Sequence, residues 1–216
     1  MPKVNDRVYQ VDDVLGGPTL LVDDEYLTLV DTGVPDSEGA ILALVESLGR
    51  EPGDLRQVLL THADRDHVGS LAAIVAATGA EVYAHAHDAE VAEGKREARN
   101  GQFVQFPATV DHIVADGQTL PLHGGIKVVE TLGHTLGHVS YYLTGDGVLI
   151  AGDCINNREG LSDSATSAPQ NTVDFDLARA AVKRIAALEP SSIVCGHGPP
   201  IVEGAAAALT ALAERV

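Results

Sequence analysis

The sequence predicts an α/β fold, a single domain over residues 1–216 built from two similar halves. Three observations carry this. Short apolar runs of strand length alternate with stretches whose apolar residues recur at helical spacing. Each half passes through strands and a helix to a strand that ends in polar residues, and no linker or low-complexity tract divides them. A chain of 216 residues, 45% hydrophobic, suits one domain that buries about 70% of its unfolded surface.

The elements follow in order. Arg7–Val11, Thr19–Val22 and Tyr26–Val30 read as strands, with Gly16-Gly17-Pro18 as a turn and Asp31-Thr32-Gly33 closing the third. Ser37–Leu48 carries Ile41, Leu44, Val45 and Leu48 on one face, with Ser37 as N-cap and Gly49 as the stop. Gln57–Leu60 is a buried strand, 68–78 a helix, Glu81–His85 a strand and 87–93 one or two helical turns. Residues 94–109 are irregular; Lys95, Arg96 and Arg99 form the most basic patch there, read as a solvated loop anchored by Phe103 and Phe106, with a flap over the site that meets an anionic substrate as the alternative. Strands at 111–114, 119–122, 126–131, 138–143 and 147–151 follow, separated by Gly-containing turns. Residues 156–172 read as polar and irregular, and Asp174–Leu188 as a helix with Leu177, Ala181, Val182, Ile185 and Leu188 inward. Ser192–Cys195 is the last strand, and an Ala-rich helix spans 204–215.

Charge narrows the function. With 14 Lys and Arg against 31 Asp and Glu, the net charge of −17 gives an acidic surface that repels phosphate backbones, so no nucleic-acid partner is expected. No run of 18 apolar residues predicts a membrane span, and Met1–Asp6 does not open a signal peptide. Two cysteines, Cys154 and Cys195, make no disulfide scaffold. A cytoplasmic protein acting on a small molecule fits these features, and a homodimer is compatible with them.

The chemistry concentrates in Thr61-His62-Ala63-Asp64-Arg65-Asp66-His67, where two imidazoles and two carboxylates stand between a strand end and a helix. Capping the helix would use one Asp but neither histidine. His and Asp are ligands suited to zinc, iron and manganese. Three more strand ends carry polar residues beside glycine: Gly133-His134-Thr135, Gly152-Asp153 and Gly196-His197-Gly198. His85, His87, His112 and His123 read as strand-end, surface or turn residues. One of Tyr141 and Tyr142 must be core, since strand neighbours alternate. No Gly-x-Ser-x-Gly elbow is present, which argues against a serine hydrolase.

Taken in series, Asp31, the run at 62–67, Gly133-His134, Gly152-Asp153 and Gly196-His197-Gly198 resemble the signature of the metallo-β-lactamase superfamily, on the side of glyoxalase II and lactonases. The resemblance covers about residues 7–205. It implies a four-layer αββα sandwich: two mixed sheets, helices on both outer faces and two divalent ions, zinc first, at one rim. By resemblance His62, Asp64 and His134 hold one ion, Asp66, His67 and His197 the other, and Asp153 bridges them. Asp31 and His138 stand behind the ligands. Asp66 and Asp153 are the candidate catalytic carboxylates. Asp64 departs from the usual His, and a harder carboxylate keeps iron and manganese open.

The implied activity is hydrolysis of a small ester, thioester or lactone by a metal-bound hydroxide. The alternatives are a mononuclear iron persulfide dioxygenase using His62, His134 and Asp153, and a non-catalytic member of the fold. The latter should have lost ligands, and none of these positions is apolar. The chain after the Ala-rich helix leaves no room for the added helical domain of glyoxalase II, so glutathione specificity is not expected.

Overall fold

The computed structural model describes residues 3–216 and divides them into two compact units, one running to Ile113 and one from Val114 to Val216. Among the described residues, the first unit carries a seven-stranded sheet in sequential order: β1 (Lys3–Asn5), β2 (Val8–Gln10), β3 (Thr19–Val22), β4 (Leu27–Val30), β5 (Leu55–Leu59), β6 (Glu81–His85) and β7 (His112–Val114), the last at the unit boundary. β1 to β4 pair antiparallel, whereas β4, β5 and β6 run parallel. Parallel neighbours need crossovers, and helices supply them. These are α1 (Glu38–Ser47), then α2 (Arg65–Val68) and α3 (Leu71–Thr78); α4 (Ala86–Ala92) follows β6. β4 is buried at all four positions, as expected of a strand covered on both faces. α1 packs Ile41, Leu44 and Val45 into the core of this unit.

The second unit holds a five-stranded sheet in the order β14-β11-β10-β9-β8. Its strands are β8 (Thr119–Leu120), β9 (Ile126–Glu130), β10 (Val139–Leu143), β11 (Val148–Gly152) and β14 (Ser192–Cys195). β8 to β11 pair antiparallel and β11 pairs parallel with β14. Between β11 and β14 lie the two-stranded β12 (Ile155–Asn156) and β13 (Ser162–Asp163), then α5 (Ser164–Ser167) and α6 (Phe175–Ala186). α7 (Ala205–Ala213) closes the chain. α6 starts where the Asp174 carboxylate accepts from the backbone N–H groups of Asp176 and Leu177. It buries Ala178, Ala181, Val182 and Ile185, and Val182 and Ile185 contribute about 2 kcal/mol each by area removed from water.

The α/β class holds, with two large mixed sheets and helices. Several local expectations do not. The helix expected over 68–78 is broken at Gly69-Ser70: a Cβ on Gly69 would meet the Pro35 nitrogen at 2.3 Å, and Ser70 Oγ turns to bond Val34 O and accept from Ser37 N. Residues 156–172 are irregular only in part: 157–161 lack regular structure, whereas β13, α5 and a 3-10 turn at Pro169–Asn171 follow. Leu177 is exposed rather than core, and Ala178 takes its inward position. His123, read as a surface or turn residue, does lie in a turn, with positive φ, but is buried. Phe103 and Phe106 are exposed, and the 94–109 segment is instead held to the core by Ala98, Val104 and Ala108. Tyr141 is the core tyrosine of its pair. Among the described residues, no helix is long and apolar enough to cross a membrane.

Candidate metal centre

In the first unit, the ends of parallel strands β4 and β5 present the polar cluster, the usual place for a site on such a sheet. Asp31 follows β4 in left-handed backbone geometry, with φ 59°. That conformation turns its carboxylate back toward the neighbouring strand end. Oδ1 accepts from Thr61 N at 2.8 Å, while Oδ2 accepts from Thr61 Oγ1 at 2.6 Å and contacts His67 Nδ1 at 2.8 Å. A carboxylate can only accept, so His67 carries its proton on Nδ1. Thr61 has given its one proton to Asp31, so its oxygen accepts from His62 Nδ1 at 3.0 Å. Both imidazoles are thereby set in the tautomer that puts the lone pair on Nε2, the arrangement metal-binding histidines require. His62 and His67 are fully buried, with ring centroids 4.0 Å apart.

The backbone around them is clamped from several sides. Thr32 N and Oγ1 both donate to His67 O, at 2.7 and 2.9 Å. Buried Asp88 accepts from Ala63 N at 3.1 Å. Gly16 lies against the Asp66 carbonyl, which a Cβ at that position would meet at 1.8 Å. Asp64 occupies the N-cap of α2, yet its side chain makes no capping bond. Its Oδ2 lies 3.6 Å from His62 Nε2 and accepts from Arg99 Nε at 2.8 Å. Asp66 Oδ2 lies 4.0 Å from His67 Nε2.

The second unit contributes the ends of β11 and β14 and the turn after β9. Gly133 lies so close to α6 that a Cβ would meet Ala178 N at 2.3 Å, and its carbonyl accepts from Val173 N and Asp174 N. His134, Asp153 and His197 converge here: Asp153 Oδ2 is 3.5 Å from His134 Nε2 and 3.2 Å from His197 Nε2. His138 Nε2 accepts from Asp153 N at 3.0 Å, which fixes its proton on Nδ1, 2.8 Å from Thr131 Oγ1. Thr131 Oγ1 also bonds Ser140 Oγ, which donates to Ala151 O. His138 therefore holds the backbone that carries Asp153. Arg158 Nη2 lies 2.8 Å from His197 Nδ1. A cavity of about 850 Å³ opens beside His134, Asp153 and His197, bordered by Arg158, Asn171 and Arg215.

Cys154 and Cys195 are buried thiols outside any disulfide, and burial pushes both well above the ordinary thiol range. They belong to the core of the second unit. Sequence reasoning missed Thr61, Asp88 and Thr131, because a polar residue that holds a ligand loop looks the same in sequence as a solvated one. The same applies to Arg158, which the spacing of the motifs does not single out.

Comparison with known proteins places the chain. The metallo-beta-lactamase superfamily model matches residues 13–197. A probable metallo-hydrolase, YflN, of Bacillus subtilis is 27% identical over 215 residues, covering 87% of this chain and 81% of the relative. A hydroxyacylglutathione hydrolase of Rhodobacter capsulatus is 31% identical over 174 residues, covering 79% of this chain and 57% of its own length. Among solved structures, a Cronobacter sakazakii metallo-β-lactamase with a HARLDQ motif superposes with a TM-score of 0.72 at 26% identity, over 90% of this chain and 76% of that one. SMB-1, solved with mercaptoacetic acid, superposes at 0.76 and 20% identity over 99% and 92%, a likeness of fold. The chain belongs to the metallo-β-lactamase superfamily. Within it, the chain is a metal-dependent hydrolase.

Proposed function

We propose that the two sets of strand-end ligands bind two divalent ions, zinc first, and that the chain hydrolyses a small ester, thioester or lactone. His62 with His134 and Asp153 would hold one ion, and Asp66 and His67 with His197 the other. The donor set fits such ions: imidazoles, of which His62 and His67 already present Nε2, and carboxylate oxygens match zinc and, with more oxygen character, iron or manganese. The observation that carries the reading is the tautomer relay Asp31–Thr61–His62 with Asp31–His67, since it puts the lone pairs of two buried imidazoles on Nε2, as metal-binding histidines require. Asp153 Oδ2 lies 3.5 Å from His134 Nε2 and 3.2 Å from His197 Nε2, within reach of a histidine from each ligand set.

When bound, such ions supply a nucleophilic water near neutral pH and charge stabilisation for the oxyanion. The chain's own part is to orient. Asp31 and Thr61 hold two imidazoles, and His138 holds Asp153 through its backbone. Asp66 and Asp153 keep carboxylates in place to accept a proton from the attacking water. The cavity of about 850 Å³ is of the size that takes a small ligand, and the hydroxyacylglutathione hydrolases among the relatives favour a thioester. Metal analysis of chelator-free protein, followed by a panel of thioesters, esters and lactones, tests this. Two equivalents per chain with turnover of one class supports it; one equivalent of iron with oxygen uptake on a persulfide overturns it.

A further inference from the structure

The position that departs from the family pattern, Asp64, has a partner that a ligand histidine could not have. Asp64 Oδ2 accepts from Arg99 through both Nε at 2.8 Å and Nη2 at 2.5 Å. The pair is shielded, with side chains 9% and 20% exposed. A carboxylate oxygen offers two lone-pair directions, and the two N–H groups take both at Oδ2. The guanidinium is permanently charged and donates only, so a divalent ion on that oxygen would have to displace it against like charge.

Charge bookkeeping points the same way. A neutral imidazole at this position contributes no charge, whereas an aspartate alone adds one negative charge. Aspartate with Arg99 adds none. The other cations of the basic patch are engaged locally, Lys95 with Glu93 and Arg96 with Glu90. Arg99 is the member that reaches the ligand loop. It does so from a segment without regular secondary structure, 94–109, which lies along that loop: a small cavity of about 120 Å³ is lined by Ala63, Arg65 and Val68 on one side and by Ala98, Val104 and Phe106 on the other.

We propose that Asp64 is the dock for Arg99 and not a metal ligand, and that the pair latches residues 94–109 onto the 62–67 loop. Arg99 is then a positioning residue. On the two-ion reading above, on which this half of the proposal rests, the first ion keeps His62, His134 and Asp153 as its protein ligands. A two-pronged guanidinium contact adds a charged tie to the ligand loop beside the apolar contacts that Ala98, Val104 and Ala108 make with the core.

Cobalt(II) loading of the wild-type chain and of Asp64→Asn, Arg99→Ala, Arg99→Lys and the Asp64→Asn/Arg99→Ala double variant tests it, with hydrogen exchange followed at 94–109. The expected result is an unchanged number of cobalt equivalents and an unchanged visible spectrum in Asp64→Asn. Exchange at 94–109 should rise about tenfold in Asp64→Asn and Arg99→Ala alike, no further in the double variant, and less in Arg99→Lys. Loss of a cobalt equivalent or a shifted spectrum in Asp64→Asn overturns the proposal, as does a segment equally protected in wild type and Arg99→Ala. If the wild-type chain takes up no cobalt, the two-ion reading fails by itself, and hydrogen exchange still decides the latch.

Discussion

The two units hold their candidate ligands by different means. In the first, one buried carboxylate does most of the work: Asp31 bonds Thr61 twice and His67 once, and Thr61 passes the constraint to His62. Both histidines are fully buried and already in the ligand tautomer. In the second unit the ligands stand nearer solvent, with the side chains of Asp153 and His197 12% and 14% exposed. Asp153 is held through its backbone by His138, and His197 meets Arg158. A guanidinium can only donate, so His197 accepts at Nδ1 and carries its proton on Nε2, facing Asp153. On the two-ion proposal, the first unit already presents Nε2 from His62 and His67, whereas His197 would have to change tautomer and give up Arg158.

The contrast can be broken most directly at Asp31. Asp31→Ala strands buried Thr61 and His67 donors, so unfolding by denaturant should show a loss of about 3 kcal/mol. Cobalt titration of the same variant should show affinity about 10–100-fold weaker. Undiminished affinity would mean that the carboxylate does not orient the imidazoles. The counterpart in the second unit, His138→Ala, should cost less: about tenfold in metal affinity and about 1 kcal/mol in stability. Equal costs at Asp31 and His138 would erase the distinction between the units. Arg158→Ala should act in the opposite direction, tightening zinc about fivefold in chelator competition, because His197 no longer spends Nδ1 as an acceptor. Weakened zinc would show that Arg158 supports the site. The smallest effect concerns the core: iodoacetamide at pH 8 should label Cys154 and Cys195 at least about tenfold more slowly in folded than in urea-unfolded protein. Fast labelling of the folded chain would place these thiols outside the packed core.

Much of this was legible in the sequence, for physical reasons. A metal ligand must be one of a few residue types, and the motif at 62–67 packs four of them at a strand-to-helix junction. Strand ends followed by glycine mark Asp31, His134, Asp153 and His197, because the chain can turn a side chain inward only where the backbone is permissive. The limits are equally local. Periodicity over 68–78 counts apolar residues and is blind to Pro35 pressing on Gly69. Polar composition over 156–172 resembles a loop, although Asp163 caps α5 by accepting from Thr166 N. The aromatic pair Phe103 and Phe106 suggested an anchor, yet the smaller Ala98, Val104 and Ala108 fit against the core of the first unit and the phenylalanines do not.

By itself, the sequence determined the α/β class, the order of the strands that end in polar residues and the residue types available for ligation, because these follow from hydrophobic period, turn chemistry and side-chain identity. Only the tertiary structure decided which nitrogen of His62 and His67 bears the proton, and that Asp64 faces Arg99, 35 residues along the chain. Those outcomes depend on which donor meets which acceptor at about 3 Å, a distance set by packing between segments remote in sequence.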